Sequence, residues 1–397
     1  MADLDALADL AVSFGANVQP GQVVGVTGEL EHAPLIRRIA ARAYEKGARF
    51  VDVAYFDPYV KRVRIEHAPD DTIEFVPAWY GERMLGLGRE HASYIAVSGP
   101  TEPGLLADLD QERAGRDRLP LLKETLRVIN DRTLNWTIVP YATAGWARTV
   151  YPELEEQAAV EELWRQLAHV CRLDEADPVA AWEQRMAATV GAAERLTERR
   201  FDAIRFEGDG TDLTVGLFAS SRWFAARFET VDGLVHHPNL PTEEVFTTPD
   251  PARTEGVVRS TKPLVFPDGG VVRGLRVRFD GGVAVEIDAD EGAENLRARV
   301  DEDEGGRRLG EVALVDGEGR IGPLGTVFYN TLLDENATSH IAFGTGFEFA
   351  CGDEVRARVN QSATHIDFMI GGDDVDVTGL TAAGESVPVL RGGAWQI

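Results

Sequence analysis

The hydrophobic rhythm of this chain changes once, near residue 200, and that change limits the architecture more than any other feature. Before it, short apolar runs alternate with longer stretches of helical spacing. The runs QVVGVTG (22–28), RFVDVAYF (49–56), SYIAVSG (93–99) and NWTIVPY (135–141) are each bounded by Gly, Pro or charged residues, as buried parallel strands are. Residues 3–14 and 33–46 repeat apolar side chains at helical spacing, the second stretch closing on Gly47. Residues 154–199 read as two more helices, built on ELWRQLAHVCRL and AAWEQRMAATVGAAERL. Strands alternating with helices predict an open α/β domain over residues 1–200.

Beyond the change, AIRFEG, TDLTVGLF, GVVRSTKPLVF, VRGLRVRFDGGVAVEIDA and GEVALV alternate apolar with polar residues between Gly and Asp turns. Residues 201–397 are therefore expected to form a strand-rich, barrel-like C-terminal domain. The fold class is α/β plus α+β.

Charge and cysteine content remove several functions. A net charge of −26, from 66 acidic and 40 basic residues, repels phosphate backbones and anionic membranes, so neither nucleic acid nor membrane is an expected partner. No apolar run reaches the roughly 18 residues of a membrane-spanning helix. The opening MADLDALADLAVSFGANVQPGQ has acids where an export signal carries basic residues. Cys171 and Cys351, far apart in sequence, fit a reducing cytoplasm and offer no thiolate metal site. A dinucleotide enzyme, which an α/β pattern alone suggests, lacks its fingerprint. GVTGELEHA has no GxGxxG spacing, and GDGTDLTVG carries two acids where a phosphate loop needs lysine.

Chemistry-bearing residues gather late in the chain. In ATHIDFMIGG, His365 and Asp367 are two apart, so on a strand both project to one face, about 7 Å apart at Cα. DENATSHIAFG upstream contains Glu335 and His340. Singly, these read as a helix cap and a satisfied core histidine. Glu311 in RRLGEVALV shares a strand face with Ala313 and Val315, where a buried charge is costly without a partner, either a cation or an arginine. Glu243 and Glu244 follow a proline turn in NLPTEEVFTTPD; adjacent loop acids are ordinarily just solvated. Two of the eight histidines lie beyond residue 240, and both fall in this set. Mixed nitrogen and oxygen donors without sulfur suit zinc, cobalt, manganese or magnesium. The set is large enough for two ions sharing a carboxylate.

The order of these segments resembles the thermophilic aminopeptidase family, of the aminopeptidase T and S type. NWTIVPYATAGWARTVYP, GTDLTVGL, NLPTEEVFTTPD, EGVVRSTKPL, RRLGEVALV, FYNTLLDENATSHIAFG and NQSATHIDFMIGG carry the resemblance over almost the whole chain. It implies a two-metal aminopeptidase acting on peptides with a free N-terminus, and a homodimer whose larger C-terminal domain holds the site. The implied metal ligands are Glu244, Glu311, Glu335, His340, His365 and Asp367, with Glu311 the catalytic bridge. Glu243 and Glu244 are interchangeable at this level: one binds metal, and the other is a supporting residue or general base. One position departs from the family. Seven residues after His340, where a tyrosine is usual, stands Phe347. The missing hydroxyl raises an alternative, a metal-binding homologue that hydrolyses another amide or is catalytically weakened. Tyr329 is a substitute that the sequence offers.

Overall fold

Four of the early apolar runs become neighbours in one parallel sheet. In the computed structural model, which describes residues 2–117, 119–120, 123–266 and 270–397, Phe50–Phe56, Val23–Glu29, Ser93–Ser98 and Asn135–Pro140 lie side by side in that order. The inner strands bury Val24, Val26, Ile95 and Val97 completely or nearly so, as a sheet covered on both faces requires. Helix Ala33–Glu45 starts with a proline in its first turn and turns Leu35, Ile36, Ile39 and Ala43 inward. Asp57 caps helix Pro58–His67 by accepting from the amides of Tyr59 and Val60, at 2.9 and 3.4 Å.

The chain forms two compact units: Met1–Gln184 with Arg227–Pro241, and Arg185–Ala226 with Thr242–Ile397. The return of 227–241 to the first unit has a local cause. Ile138 donates its amide to Pro238 O (2.7 Å) and accepts from Leu240 N (3.0 Å), so this segment runs parallel beside the Asn135–Pro140 strand. The turn after the first strand is closed by its own side chains. Thr101 N donates to Glu29 Oε2 (2.8 Å), and His32 bridges Glu29 N and Gly99 O. A carboxylate thus takes the kind of amide that a phosphate would need.

In the second unit, an eight-stranded antiparallel sheet runs in the order Val283–Asp288, Arg276–Asp280, Pro249–Arg259, Thr211–Leu217, Ala203–Gly208, Asp376–Leu380, Ser386–Arg391, Ala394–Trp395. A five-stranded sheet runs His365–Met369, His340–Gly344, Leu309–Val315, Glu244–Thr247, Phe224–Ala225. Their apolar faces share one core. Phe206, Leu213, Val258 and Phe279 come from the first sheet, and Val245, Leu314, Ile341, Phe343 and Phe368 from the second. Phe279 and Phe343 meet at 5.9 Å between ring centroids, and each fully buried ring contributes about 1.5–3 kcal/mol. The barrel expected from the alternation is not formed: among the described residues both sheets are open, with edge strands at either end. Alternation specifies which face is buried, whereas closure depends on first and last strands pairing, which alternation does not encode.

Candidate metal centre

The two faces of the five-stranded sheet have opposite chemistry, and strand pairing explains why. Val315 pairs with Glu244 and Ala313 with Phe246. His340 stands opposite Ala313 on its other side, and Ala342 opposite both Glu311 and Asp367. Gly344 pairs with His365. Paired residues share a face. One face therefore presents Val245, Val312, Leu314, Ile341, Phe343, Ile366 and Phe368 to the core. The other gathers Glu244, Glu311, His340, His365 and Asp367 around the small side chains of Ala313 and Ala342. A glycine is required at 344, where φ is +94° and a Cβ would lie 2.1 Å from Thr364 O.

Two triplets form on that face, with ligand atoms all within 4.8 Å of one another: Glu244, Glu311 and His340, then Glu311, His365 and Asp367. Glu311 belongs to both. His340 Nε2 stands 3.1 Å from Glu244 Oε2, and His365 Nε2 stands 3.1 Å from Glu311 Oε2 and 3.3 Å from Asp367 Oδ1. Each imidazole turns its other nitrogen to a backbone carbonyl: His340 Nδ1 to Thr338 O (3.2 Å), His365 Nδ1 to Thr345 O (2.9 Å). A carbonyl can only accept, so Nδ1 carries the proton and Nε2 is the atom offered to the carboxylates. A lone pair aimed at carboxylate oxygens is repulsive unless a cation lies between. Glu244 Oε2 is itself buried without a donor in hydrogen-bonding geometry, despite its close approach to His340. These donors fit a bound metal.

The electrostatics state the same demand. Burial, and then the charges of Asp367 and Glu244, push the Glu311 carboxyl up to about 7 against the pull of His365. Burial would lower His340, yet the adjacent Glu244 carboxylate and the charges of Glu311 and Asp367 raise it to about 10. Glu335, in the turn Glu335–Ala337, lies outside both triplets but within their field. Burial and the charges of Asp367 and Glu244 raise its carboxyl well above the ordinary range. With no metal, a proton must do what a metal does better.

Comparison with known proteins identifies the family. The model of the thermophilic metalloproteases (M29) matches residues 1–395. Aminopeptidase T of Thermus aquaticus is 44% identical over 404 residues, covering 100% of this chain and 98% of its own. The chain belongs to the thermophilic metalloprotease family. It is similar also to aminopeptidase AmpS of Bacillus subtilis strain 168, at 36% identity over 99% of this chain and 98% of the relative. The solved structure of wild-type AmpT from Thermus thermophilus superposes with a TM-score of 0.92 at 41% identity, covering 100% of this chain and 99% of that one. This metalloprotease is accordingly a metal-dependent hydrolase of peptide bonds, as its resemblance implied.

Glu243, the neighbour of Glu244, does not join the metalloprotease's ligand face. Its carboxylate is wholly covered and accepts from Arg185 Nε at 2.5 Å. Arg185 also forks onto Asp316, at 2.9 and 2.7 Å, and Trp395 Nε1 donates to Asp316 Oδ2 at 2.7 Å. Asn336 ties the two parts together. Its Oδ1 accepts from Glu243 N (2.6 Å), and its Nδ2 reaches Glu335 Oε1 at 3.5 Å. Arg185, Asp316, Asn336 and Trp395 escaped sequence reasoning. Arg185 alone left a signal, being an arginine on the stripe Trp182, Met186 and Thr189 that its helix buries. Phe347 packs its ring 5.5 Å from that of His365 and 5.3 Å from that of Phe246.

Proposed function

We propose that this chain is an aminopeptidase that releases the N-terminal amino acid from peptides, using two divalent ions per subunit. One observation carries the reading: Glu311 is common to both ligand triplets, the position a carboxylate bridging two ions must hold. Glu244 and His340 would flank it on one side, His365 and Asp367 on the other. Glu335 would complete the second group, since Asp367 is the strongest charge upon it. Zinc, cobalt, manganese and magnesium all suit this oxygen-rich donor set.

When bound, the ions supply Lewis-acid polarisation of the scissile carbonyl and of the attacking water. The chain's residues do the rest. His340 and His365 are held in one tautomer by Thr338 O and Thr345 O. Four carboxylates facing one space attract the protonated α-amine of a peptide, which favours cleavage at a free N-terminus over cleavage within a chain. Glu243, covered and held by Arg185, would support Glu244 rather than meet a water. The carboxylates of the ligand face are the groups available to take the water's proton and pass it to the leaving amine.

The second unit is read as the catalytic domain and the first as the α/β domain of a cytoplasmic homodimer. Exposed Val60, Val63, Phe75 and Trp79 on the first unit support association, and two buried free cysteines suit a reducing compartment. Among the described residues no helix is long and apolar enough to cross a membrane. The other reading, a relative weakened or turned to another amide, rests on Phe347. Both face one experiment: metal analysis of the purified chain beside hydrolysis of unblocked and N-acetylated dipeptides. Metal-dependent release from the unblocked peptides alone is expected. Equal cleavage of both sets, or of neither, overturns the proposal.

A further inference from the structure

Four phenylalanines border the ligand face, and none belongs to the core behind the sheet. Phe246 follows Glu244 by two residues on the same strand face, and Phe224 stands directly opposite it on the edge strand. Phe347 and Phe349 come from the loop after Gly344. The rings form a continuous series. Phe347 lies 5.3 Å from Phe246 and 5.5 Å from Phe349, and Phe349 lies 5.2 Å from Phe224 at 87°. Phe246 is 6% exposed and Phe349 43%, with Phe224 and Phe347 between them. The wall thus starts against the His365 imidazole and ends in water.

Such a surface has a cost. An apolar wall beside a polar centre, left partly in water at its outer end, is a feature of binding surfaces. Ions held by Glu244, Glu311, His340, His365 and Asp367 would take the amine and the carbonyl of the substrate's first residue, and the Cα between those groups would send its side chain away from the carboxylates. We propose that the Phe224–Phe246–Phe347–Phe349 wall is the subsite for that side chain, selecting peptides whose N-terminal residue is aromatic or large and aliphatic over those beginning with alanine. The inference rests on the aminopeptidase reading above. It gives Phe347 a role of its own: the ring extends the wall up to the metal centre.

Two measurements on the full metal-loaded chain test it. The first is kcat/KM on the p-nitroanilides of L-phenylalanine, L-leucine and L-alanine. The second is calorimetric binding of the free amino acids L-phenylalanine and L-alanine. Wild type is expected to favour phenylalanine over alanine in both. Phe349→Ala, a change at an exposed position that folding tolerates, is expected to lower both phenylalanine-to-alanine ratios by about 10-fold, the scale of hydrophobic-pocket discrimination. Phe224→Ala is expected to act in the same direction. Unchanged ratios in both variants, with metal content intact, overturn the proposal. So does a change of sedimentation coefficient in Phe349→Ala with the ratios preserved, because the wall is then covered by a second copy of the chain. If wild type cleaves none of the anilides, the aminopeptidase reading fails, and the binding ratios alone decide whether the wall selects aromatic side chains.

Discussion

Glu311 Oε2 and His365 Nε2 stand 3.1 Å apart, although 53 residues lie between them in sequence and one strand, His340–Gly344, lies between their strands. That approach places the carboxylate where it can serve both triplets at once. Glu311→Gln keeps the shape but offers one neutral oxygen, which cannot bridge two cations. The variant is expected to hold less metal than the parent, and to lose more activity than the roughly 10–100-fold that follows loss of a residue supporting a ligand. Elemental analysis and kcat/KM check it. Full occupancy with an undiminished rate would reduce Glu311 to an ordinary paired acid.

Arg185 is held between two buried carboxylates, with its own side chain 5% exposed and those of Glu243 and Asp316 0% and 5%. Arg185→Met removes the cation of this trio and leaves two covered carboxylates. A loss of about 3–5 kcal/mol is expected, since breaking a buried pair strands its partner. A lower melting temperature, by roughly 6–20 °C for a unit of this size, would be the readout. Arg185→Lys restores charge without the fork and should recover only part of the loss. A Met variant as stable as the parent would show that the trio contributes specificity and not stability.

Much of this was legible in sequence, and the failures have physical reasons. The parallel strands were visible because covered strands are apolar throughout, as in QVVGVTG and SYIAVSG. Glu311 stood out because a carboxylate in GEVALV breaks an apolar run, and strand alternation put it on the face with Ala313 and Val315, where it is found. The open sheets were not legible, because pairing of end strands leaves no local pattern. Neither was the return of 227–241 to the first unit, which rests on backbone bonds to Ile138 that any sequence could make. Glu243 and Glu244 could not be separated by reading. Neighbouring strand residues point oppositely, but which one faces the histidines depends on the pairing of Glu244 with Val315.

His236 and His237 of the first unit are 3% and 8% exposed, and burial lowers both to about 4. His237 stacks on Phe14 at 3.9 Å, and the charges of His236 and Arg227 add to the effect of burial on it. Between pH 6.5 and 4 the unfolded chain binds protons there that the folded chain refuses. Stability from these residues is therefore complete above pH 6.5 and falls as pH drops through that window, by at most about 1.4 kcal/mol per pH unit for each histidine. Hydrogen exchange of residues 227–241, corrected for intrinsic rates, should show weaker protection at pH 5 than at pH 7.5. A His236→Asn, His237→Asn double variant should lose that difference. Equal protection of the parent at both values would mean that the folded state accommodates the charge.

Phe347 stands where the family resemblance implies a tyrosine, and its ring lies 5.5 Å from that of His365, a candidate ligand. A hydroxyl on this half-buried ring would extend from the aromatic wall at the edge of the ligand face. Donors aimed at a developing oxyanion are worth about 100- to 1000-fold in turnover. Phe347→Tyr is accordingly expected to raise kcat on unblocked peptides, with the gain below that ceiling because the wall was packed around phenylalanine. The gain should fall on kcat more than on KM, since the contact strengthens only as negative charge develops. Preference among N-terminal side chains should persist, because the ring is retained. Comparison of kcat, KM and metal content in the two proteins separates the possibilities. A kcat no higher than the parent's, with metal content equal, would mean that position 347 acts here through its ring alone.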